Sequence, residues 1–426
     1  MKIKKQIQTT LCLIILCSVS QIKAQNQILS LEQAKEQALK NNNNIKKTTQ
    51  NIQAAQAAEK ATHTLDKPSV DAGLIGLYVG DPLSAILPEY SANATLGLKQ
   101  LIYAGGKINY AKKTASKAVE ISELQNQLTT DEVLLKTETA YWTIVNLNEK
   151  VILSKKYISL LQALEKDLNN SFTAGLIYKN DVLRVQVQLN TAQLDLKKAE
   201  DGLVISKLTL AQIMGTQNTD FTITGNFSDN YILPFEEDGR LKSENRAETA
   251  LLKNAVEIDQ LQTKILEADR KPTVALSASG LYSAGKAINF SNGKDDLTSF
   301  YGLVNISVPV FDWGGRKQKV KEQEFKTEAR KTDLKEASEL IAIEVQDTYL
   351  QLAQAKEQVE LSKESLISSE ENLRLNNDRF DAGTVVGKDV LEAQVLWQHA
   401  YSNTIDAKAR YKISEARYKK AINDLN

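Results

Sequence analysis

Two stretches of this chain match each other at a fixed offset. FTAGLIYKNDVL runs from 172 to 183 and FDAGTVVGKDVL from 380 to 391. A shift of 208 positions lays Phe172 on Phe380, Ala174 on Ala382, Gly175 on Gly383 and Asp181-Val182-Leu183 on Asp389-Val390-Leu391. It also carries Tyr141 onto Tyr349 and Gln186 onto Gln394. Self-similarity at a fixed offset marks copies of one unit, and a unit of about 200 residues is far longer than a solenoid repeat. The chain is therefore expected to fold as two halves of one architecture, a first repeat over 25–220 and a second over 244–426, joined by a linker over 221–243.

The ends and the charge narrow the setting. Met1 to Lys5 is basic, Leu11 to Val19 is apolar, and Ile22-Lys23-Ala24 puts a small residue before Gln25. This is the pattern of a secretory signal peptide over 1–24. Both cysteines, Cys12 and Cys17, lie inside it. Leu16 argues against lipid attachment at Cys17, because such sites favour a small residue there. The mature chain then has no disulfide framework and no thiolate site. Beyond residue 24 no run of 18 apolar residues occurs, so no membrane-spanning helix is expected. The 53 basic and 53 acidic residues cancel, leaving no electrostatic reason for a nucleic-acid partner. An exported chain of this kind is periplasmic, secreted or part of an outer-membrane β-barrel.

Residues 107–170 and 316–380 contain neither proline nor glycine and are dense in Ala, Leu, Glu, Lys and Gln, the strong helix formers. In the second stretch Val345, Leu352, Val359, Leu366, Leu373 and Phe380 recur every seven residues. The first carries Ile144, Val151 and Ile158, misses at Glu165 and resumes at Phe172. After the tips the pattern returns as Val182, Leu189, Leu196, Leu203 and Leu210, then as Val390, Trp397, Tyr411 and Tyr418 with Thr404 as a gap. Sustained heptads argue coiled-coil seams, so each tip joins a long outgoing helix to a shorter return helix. At 1.5 Å per residue, 107–170 spans roughly 96 Å, and the return helix 182–214 with the helix-rich 31–60 adds to roughly the same. In the second half, 244–269 and 389–424 together match 316–380 at about 98 Å. The lengths predict a helical cylinder, each half giving one continuous and one interrupted column.

A different texture fills 68–80, 91–103, 272–283 and 299–311, rich in Gly, Ser, Thr, Tyr, Val and Leu. Ala92, Ala94, Leu96 and Leu98 alternate with Asn93, Thr95, Gly97 and Lys99; Val304, Ile306, Val308 and Val310 alternate with Leu303, Asn305, Ser307 and Pro309. Period two with one apolar face is the signature of a strand, and segments of about ten such residues build transmembrane barrels. The polar loops 81–90 and 284–298 join them. Four strands cannot close a membrane barrel, whose minimum is eight, and lipid does not tolerate an open edge. The barrel must be shared, by two chains with eight strands or three with twelve. The competing reading is a pair of soluble hairpins lying on a core.

The order helix, β-hairpin, long helix, tip and return helix, repeated twice, resembles the TolC-like outer-membrane efflux protein family. The two tips carry the resemblance, with their aromatic-x-x-Gly and Asp-Val-Leu pattern, together with Gly105-Gly106 and Gly314-Gly315 at the strand-to-helix junctions. It implies a mainly α fold with a small β part: long antiparallel coiled-coil hairpins forming a tunnel, plus four strands per chain in a shared 12-stranded trimeric β-barrel. It further implies a homotrimer in outer-membrane lipid, with the tunnel in the periplasm. The expected function is a passive conduit of a tripartite efflux or secretion system, partnered by a periplasmic adaptor and an inner-membrane transporter. The alternative is a soluble periplasmic coiled-coil adaptor or scaffold. Adaptors usually combine one helical hairpin with β-rich domains, whereas this chain has two hairpins and four strands.

Candidate site residues follow. Gly175 and Gly383 stand where a helix must stop and reverse, a role for glycine in the left-handed conformation. The resemblance makes them, with Phe172 and Phe380, the tip that meets the adaptor. Asp181 and Asp389 open the return helices as N-caps or first-turn carboxylates favoured by the helix dipole. Asp389 and Glu392, three apart, share one helix face; the resemblance places them at the periplasmic constriction, where acidic residues of three subunits form rings. Arg184 stands where the second repeat has Glu392, so only that repeat supplies a doubled ring. Val385 stands where well-studied members carry an arginine that locks the closed gate, so that latch is not expected here. Trp142 and Trp397 fall in apolar seams, and Trp313 suits an interfacial aromatic belt. His63 and His399 are the only histidines, and no phosphate-binding loop motif occurs, so no enzyme activity, cofactor or metal is expected.

Overall fold

The computed structural model describes residues 27–223, 225, 227, 230–233 and 246–425. The expected signal peptide and much of the expected linker lie outside them. The chain divides into two compact units that each draw on both halves of the sequence: Met1–Lys46, Thr129–Arg246 and Leu340–Asn426 form one, Lys47–Leu128 and Ala247–Glu339 the other.

The second of these holds the sheet. Strands β2 (Ser69–Tyr78), β3 (Tyr90–Ala104), β5 (Thr273–Gly285) and β6 (Asp296–Ser307) pair in the order β2-β3-β5-β6, antiparallel throughout. Ser69 lies opposite Lys99, Ser91 opposite Gly285 and Thr273 opposite Ser307, with one irregularity between Leu101 and Tyr103. Because side chains alternate across a pleated strand, this register sorts them. One face carries Val70, Ala72 and Leu74 of β2, Ala94, Leu96 and Leu98 of β3, Val274 and Leu276 of β5, and Val304 and Ile306 of β6. The opposite face of β3 and β5 carries Asn93, Thr95, Lys99, Ser277, Ser279 and Ser283, and Ser283 donates a 2.6 Å hydrogen bond to Asn93. The alternation read along single strands is thus coherent across the sheet. The fourth strand begins at Asp296 and stops at Ser307 instead of running over 299–311, as Pro309 has no N–H to give a ladder.

Glycines shape the exits. Gly105 and Gly106 between β3 and the next helix have φ of 62° and 93°. A Cβ on Gly105 would stand 2.9 Å from the Ala268 carbonyl oxygen, so chain path and crowding both require glycine. After β6, Trp313 itself takes φ 56°, held by an Asp312 carboxylate that accepts from the N–H groups of Gly314 (3.1 Å) and Arg316 (2.8 Å).

The helices are α1 (Leu31–Asn41), α2 (Asn43–Thr62), α3 (Lys107–Thr173), α4 (Lys179–Ile213), α5 (Ala247–Ala268), α6 (Gly315–Asp381) and α7 (Gly387–Ala421). The stretch expected as one helix over 31–60 is broken at Asn42, whose ψ of 131° leaves the helix. Its side chain satisfies the break, donating to the Ile213 carbonyl (2.8 Å) and accepting from the Asn44 N–H (2.8 Å). Two short strands absent from the sequence reading, β1 (Gln27–Leu29) and β4 (Phe221–Ile223), pair in parallel, with Leu29, Phe221 and Ile223 buried against α1, α3 and the end of α4.

The seam of α3 departs from expectation. Leu153, Tyr157, Leu161, Leu164 and Leu168 are buried, whereas Val151 and Ile158 are partly covered and Phe172 is exposed. The buried line is chosen by two neighbours at once: the same cluster contains Val182, Val185 and Leu189 of α4 and Val390, Ala393 and Trp397 of α7. Glu165 misses the heptad because it lies off this line. On α6 the expected positions Val345, Leu352, Val359 and Leu373 are buried as read. Thr404 of α7 is a filled position, not a gap: it is buried, and its hydroxyl reaches the Ser362 carbonyl across the hairpin at 3.0 Å.

Candidate functional site at the twin helical tips

Both long helices end alike. Gly175 (φ 76°) donates to the Phe172 carbonyl and Leu176 to that of Ser171; Gly383 (φ 70°) donates to Phe380 and Thr384 to Arg379, all at 2.9 Å. This paired bonding is a Schellman cap, which ends a helix with a left-handed residue. A Cβ on either glycine would meet nothing within 4 Å, so the backbone angle, not crowding, selects glycine here. Phe172 is exposed, while its repeat partner Phe380 is partly buried against the hairpin core.

Of the two roles expected for the aspartates, N-cap or first-turn carboxylate, the structure shows the second. Tyr178 and Val386 occupy the N-caps of α4 and α7, and Asp181 and Asp389 fall three residues later, in the first turn. An aspartate there serves the helix by its charge and by reaching back, and the Asp389 carboxylate accepts the Val386 N–H at 3.2 Å. Glu392, one turn on, is exposed and pairs with Lys388 at 3.4 Å. On the last turns of α6, Arg374 donates to both oxygens of Glu371 (2.7 and 2.8 Å) and to Asp378 (2.7 Å). That guanidinium holds the Glu371 carboxyl below its ordinary value.

One tip residue escaped the sequence reading. Gly387 opens α7 so close to α3 that a Cβ would stand 2.5 Å from Leu168 Cδ2, and Leu168 is itself buried. Its repeat partner is Lys179. The mismatch Gly387 against Lys179 inside an otherwise matching motif was the available signal. Trp397 is buried, Trp142 stacks on Phe227 at 5.8 Å, and Trp313 is 91% exposed, edge-on to Phe311. Among the described residues no group of His, Cys, Asp or Glu is arranged to hold a metal, and no helix is long and apolar enough to cross a membrane.

An unclosed four-stranded sheet with one apolar face, and two long hairpins capped alike, define a subunit of a membrane channel with a helical tunnel. Comparison with known proteins agrees. The chain belongs to the outer membrane efflux protein family, whose sequence model matches residues 34–216 and 243–424. It is similar to the outer membrane protein TolC of Escherichia coli K12, 22% identical over 348 residues, covering 79% of this chain and 70% of that protein. Its fold is that of the Campylobacter jejuni CmeC outer membrane channel (TM-score 0.82, 16% identity, 93% of this chain and 86% of that one). The Neisseria gonorrhoeae MtrE outer membrane channel, solved in an open state, is also similar (TM-score 0.78, 16% identity, 93% and 89%). The protein is thus an outer-membrane efflux channel, a conduit of tripartite export systems in the outer membrane with its helical tunnel in the periplasm. The family is one of transport channels, not of enzymes.

Proposed function

We propose that the channel is a homotrimer that closes a 12-stranded barrel, docks through its two tips onto a periplasmic adaptor coupled to an inner-membrane transporter, and narrows its mouth with rings of Asp389 and Glu392. The single observation behind the trimer is the sheet. β2 and β6 are both edges, and four alternating antiparallel strands bring β6 of one copy antiparallel to β2 of the next, so that head-to-tail repetition can close a ring. Unpaired backbone edges are not stable in hydrocarbon. Three copies give the twelve strands, and with them six hairpin tips.

The tips support adaptor docking by their surface. Leu176 and Tyr178 follow the first cap and Val386 follows the second, all exposed, and Gly175 and Gly383 leave open space where another backbone can come near. Phe172 and Phe380 frame these caps. Glu392 is exposed on the first turns of α7, with Asp389 on the same face, so three copies would bring six carboxylates to one level of a pore and favour cations there. Native mass spectrometry of the detergent-extracted protein tests the assembly. A trimer mass is expected; a stable, membrane-inserted monomer would overturn it.

A further inference from the structure

The two edge strands differ from the two central ones. On the face opposite the apolar one, β3 presents Ser91, Asn93, Thr95, Gly97, Lys99 and Leu101, and β5 presents Ala275, Ser277, Ser279, Leu281 and Ser283. On that same face β2 presents Ile75 and Leu77, and β6 presents Leu297, Tyr301 and Leu303. Of the seven large apolar residues on this face, five are on the edge strands and two, Leu101 and Leu281, on the central ones. Those on the edges are not partnered within the chain: Ile75, Tyr301 and Leu303 are all exposed, as are Leu74 (78%) and Phe300 (88%) on the other face. Edge strands left open to water are usually protected by charge or proline. The middle of each of these carries large apolar residues on both faces, Leu74, Ile75 and Leu77 on β2 and Phe300, Tyr301 and Leu303 on β6, which suits a strand that is always paired.

We propose that β6 of one copy pairs with β2 of the next in one register, Ser69 opposite Ser307 and Tyr78 opposite Thr298, and that this seam is packed on both faces. The inference rests on the trimeric reading above and adds its register. A slip of one residue would exchange the faces, so only shifts of two compete. In the assigned register all of β2 is paired, and each of the three edge-strand glycines receives a large side chain: Gly73 faces Leu303, Gly76 faces Phe300, and Gly302 faces Leu74. Gly76 and Gly302 have nothing within 4 Å of an added Cβ in the single chain, the space such a neighbour fills. Ile75 then meets Tyr301, a β-branched and aromatic cross-strand pair of the stabilising kind, and Asp71 meets Asn305. A shift of two one way puts Asp71 opposite Leu303 and Gly302 opposite Ala72. The other way, Gly76 meets Gly302 and Ser69 meets Pro309, which has no N–H. Both leave voids or a broken ladder that the assigned register does not.

Cysteine pairs read the register directly, since the chain's own cysteines are confined to positions 12 and 17. Directly opposed residues bring their Cβ atoms to about 4.5–5.5 Å, close enough for a disulfide under mild oxidation, whereas diagonal neighbours two residues away stand about 7–8 Å apart and are not. Ile75→Cys with Tyr301→Cys, and Ser69→Cys with Ser307→Cys, should each yield a covalent trimer in native membranes. Ile75→Cys with Ser299→Cys or with Leu303→Cys should yield only traces. A reciprocal exchange guards against variants that assemble poorly: Gly76→Phe should lose SDS-resistant trimer, and adding Phe300→Gly should restore it. A trimer by native mass that cross-links in a shifted pair, or that gains nothing from the exchange, overturns the register while leaving the trimer standing. A monomer removes both.

Discussion

Leu96→Arg places a guanidinium on the apolar face of β3, between Ala72 of β2 and Gly280 of β5. The cost follows from depth. Leu96 is six residues from Tyr90, which lies opposite Tyr78 at 5.1 Å ring separation. Six residues are about 20 Å along a strand, or about 16 Å of height at a tilt near 40°. If the tyrosines mark the outer aromatic girdle, Leu96 is close to the middle of an apolar band about 25 Å tall, where an arginine costs about 2–4 kcal/mol. Three copies make about 6–12 kcal/mol for the trimer, comparable to the whole stability of a typical domain. Thr95→Arg, one residue away, puts the same charge on the opposite face beside Gly73 and Leu281 and should be tolerated. The readout is the fraction of SDS-resistant trimer in outer-membrane extracts and the urea midpoint after reconstitution in vesicles. Leu96→Arg should abolish or severely reduce assembly, with Thr95→Arg near wild type. Equal damage from both would refute the assignment of faces.

Asp389→Asn with Glu392→Gln should lower cation selectivity and weaken block by trivalent cations in bilayer recordings while the trimer persists, because Asn retains the acceptor for the Val386 N–H; unchanged selectivity would leave both residues as helix-start features. Gly175→Ala and Gly383→Ala force a methyl group into left-handed backbone at about 1–2 kcal/mol each, without any clash, so each should lower the urea midpoint and leave the fold by circular dichroism unchanged; loss of the fold would refute a purely torsional cost. Burial raises the phenols of Tyr157 and Tyr411 to about 12. Each folded value lies above the unfolded value near 10, so their contribution is intact below pH 10 and is lost as pH rises through about 12, which a phenolate difference spectrum would follow; ordinary titration near 10 would contradict it. Burial pushes the Glu415 carboxyl up, but hydrogen bonds from Lys412 (2.9 Å) and Lys419 (3.0 Å) outweigh it and leave the carboxyl below its ordinary value. Its stabilisation is present above the unfolded carboxylate range and lost as pH falls through the depressed folded value, so Glu415→Gln should flatten the acid limb of a stability–pH curve.

The features legible in the sequence are those written in local periodicity. Seven-residue spacing on α6 and α7 located buried lines, alternation over 91–103 located a strand with its apolar residues on one face, and the doubled Gly and Asp-Val-Leu motif located two helix reversals. These signals come from the geometry of one element meeting one apolar environment, and backbone angles such as φ 70° at Gly383 demand glycine whatever packs nearby. The tips and the paired glycines at the strand-to-helix junctions carry the resemblance to the family. Roles for Phe172, Gly175, Phe380, Gly383, Asp389 and Glu392 at the mouth depend on partners outside the single chain.

Neighbours decided the rest. Which of two offset lines on α3 is buried depends on α4 and α7 pressing on it together, so Leu161 and Leu168 are inside and Phe172 is not. Thr404 reads as a flaw in a heptad until a carbonyl of α6 is there to accept its hydroxyl. Asn42 breaks a helix that propensity would continue, because the end of α4 offers its side chain a partner. β1 and β4, three residues each and nearly 200 apart in sequence, carry too little pattern to be seen alone and form only because each supplies the other's ladder. Gly387 is required by the position of Leu168, more than 200 residues earlier in the chain. Periodicity reports what a segment turns toward the interior; only the folded chain determines what it meets there, and close packing makes that encounter, down to a single methyl group, decide the residue.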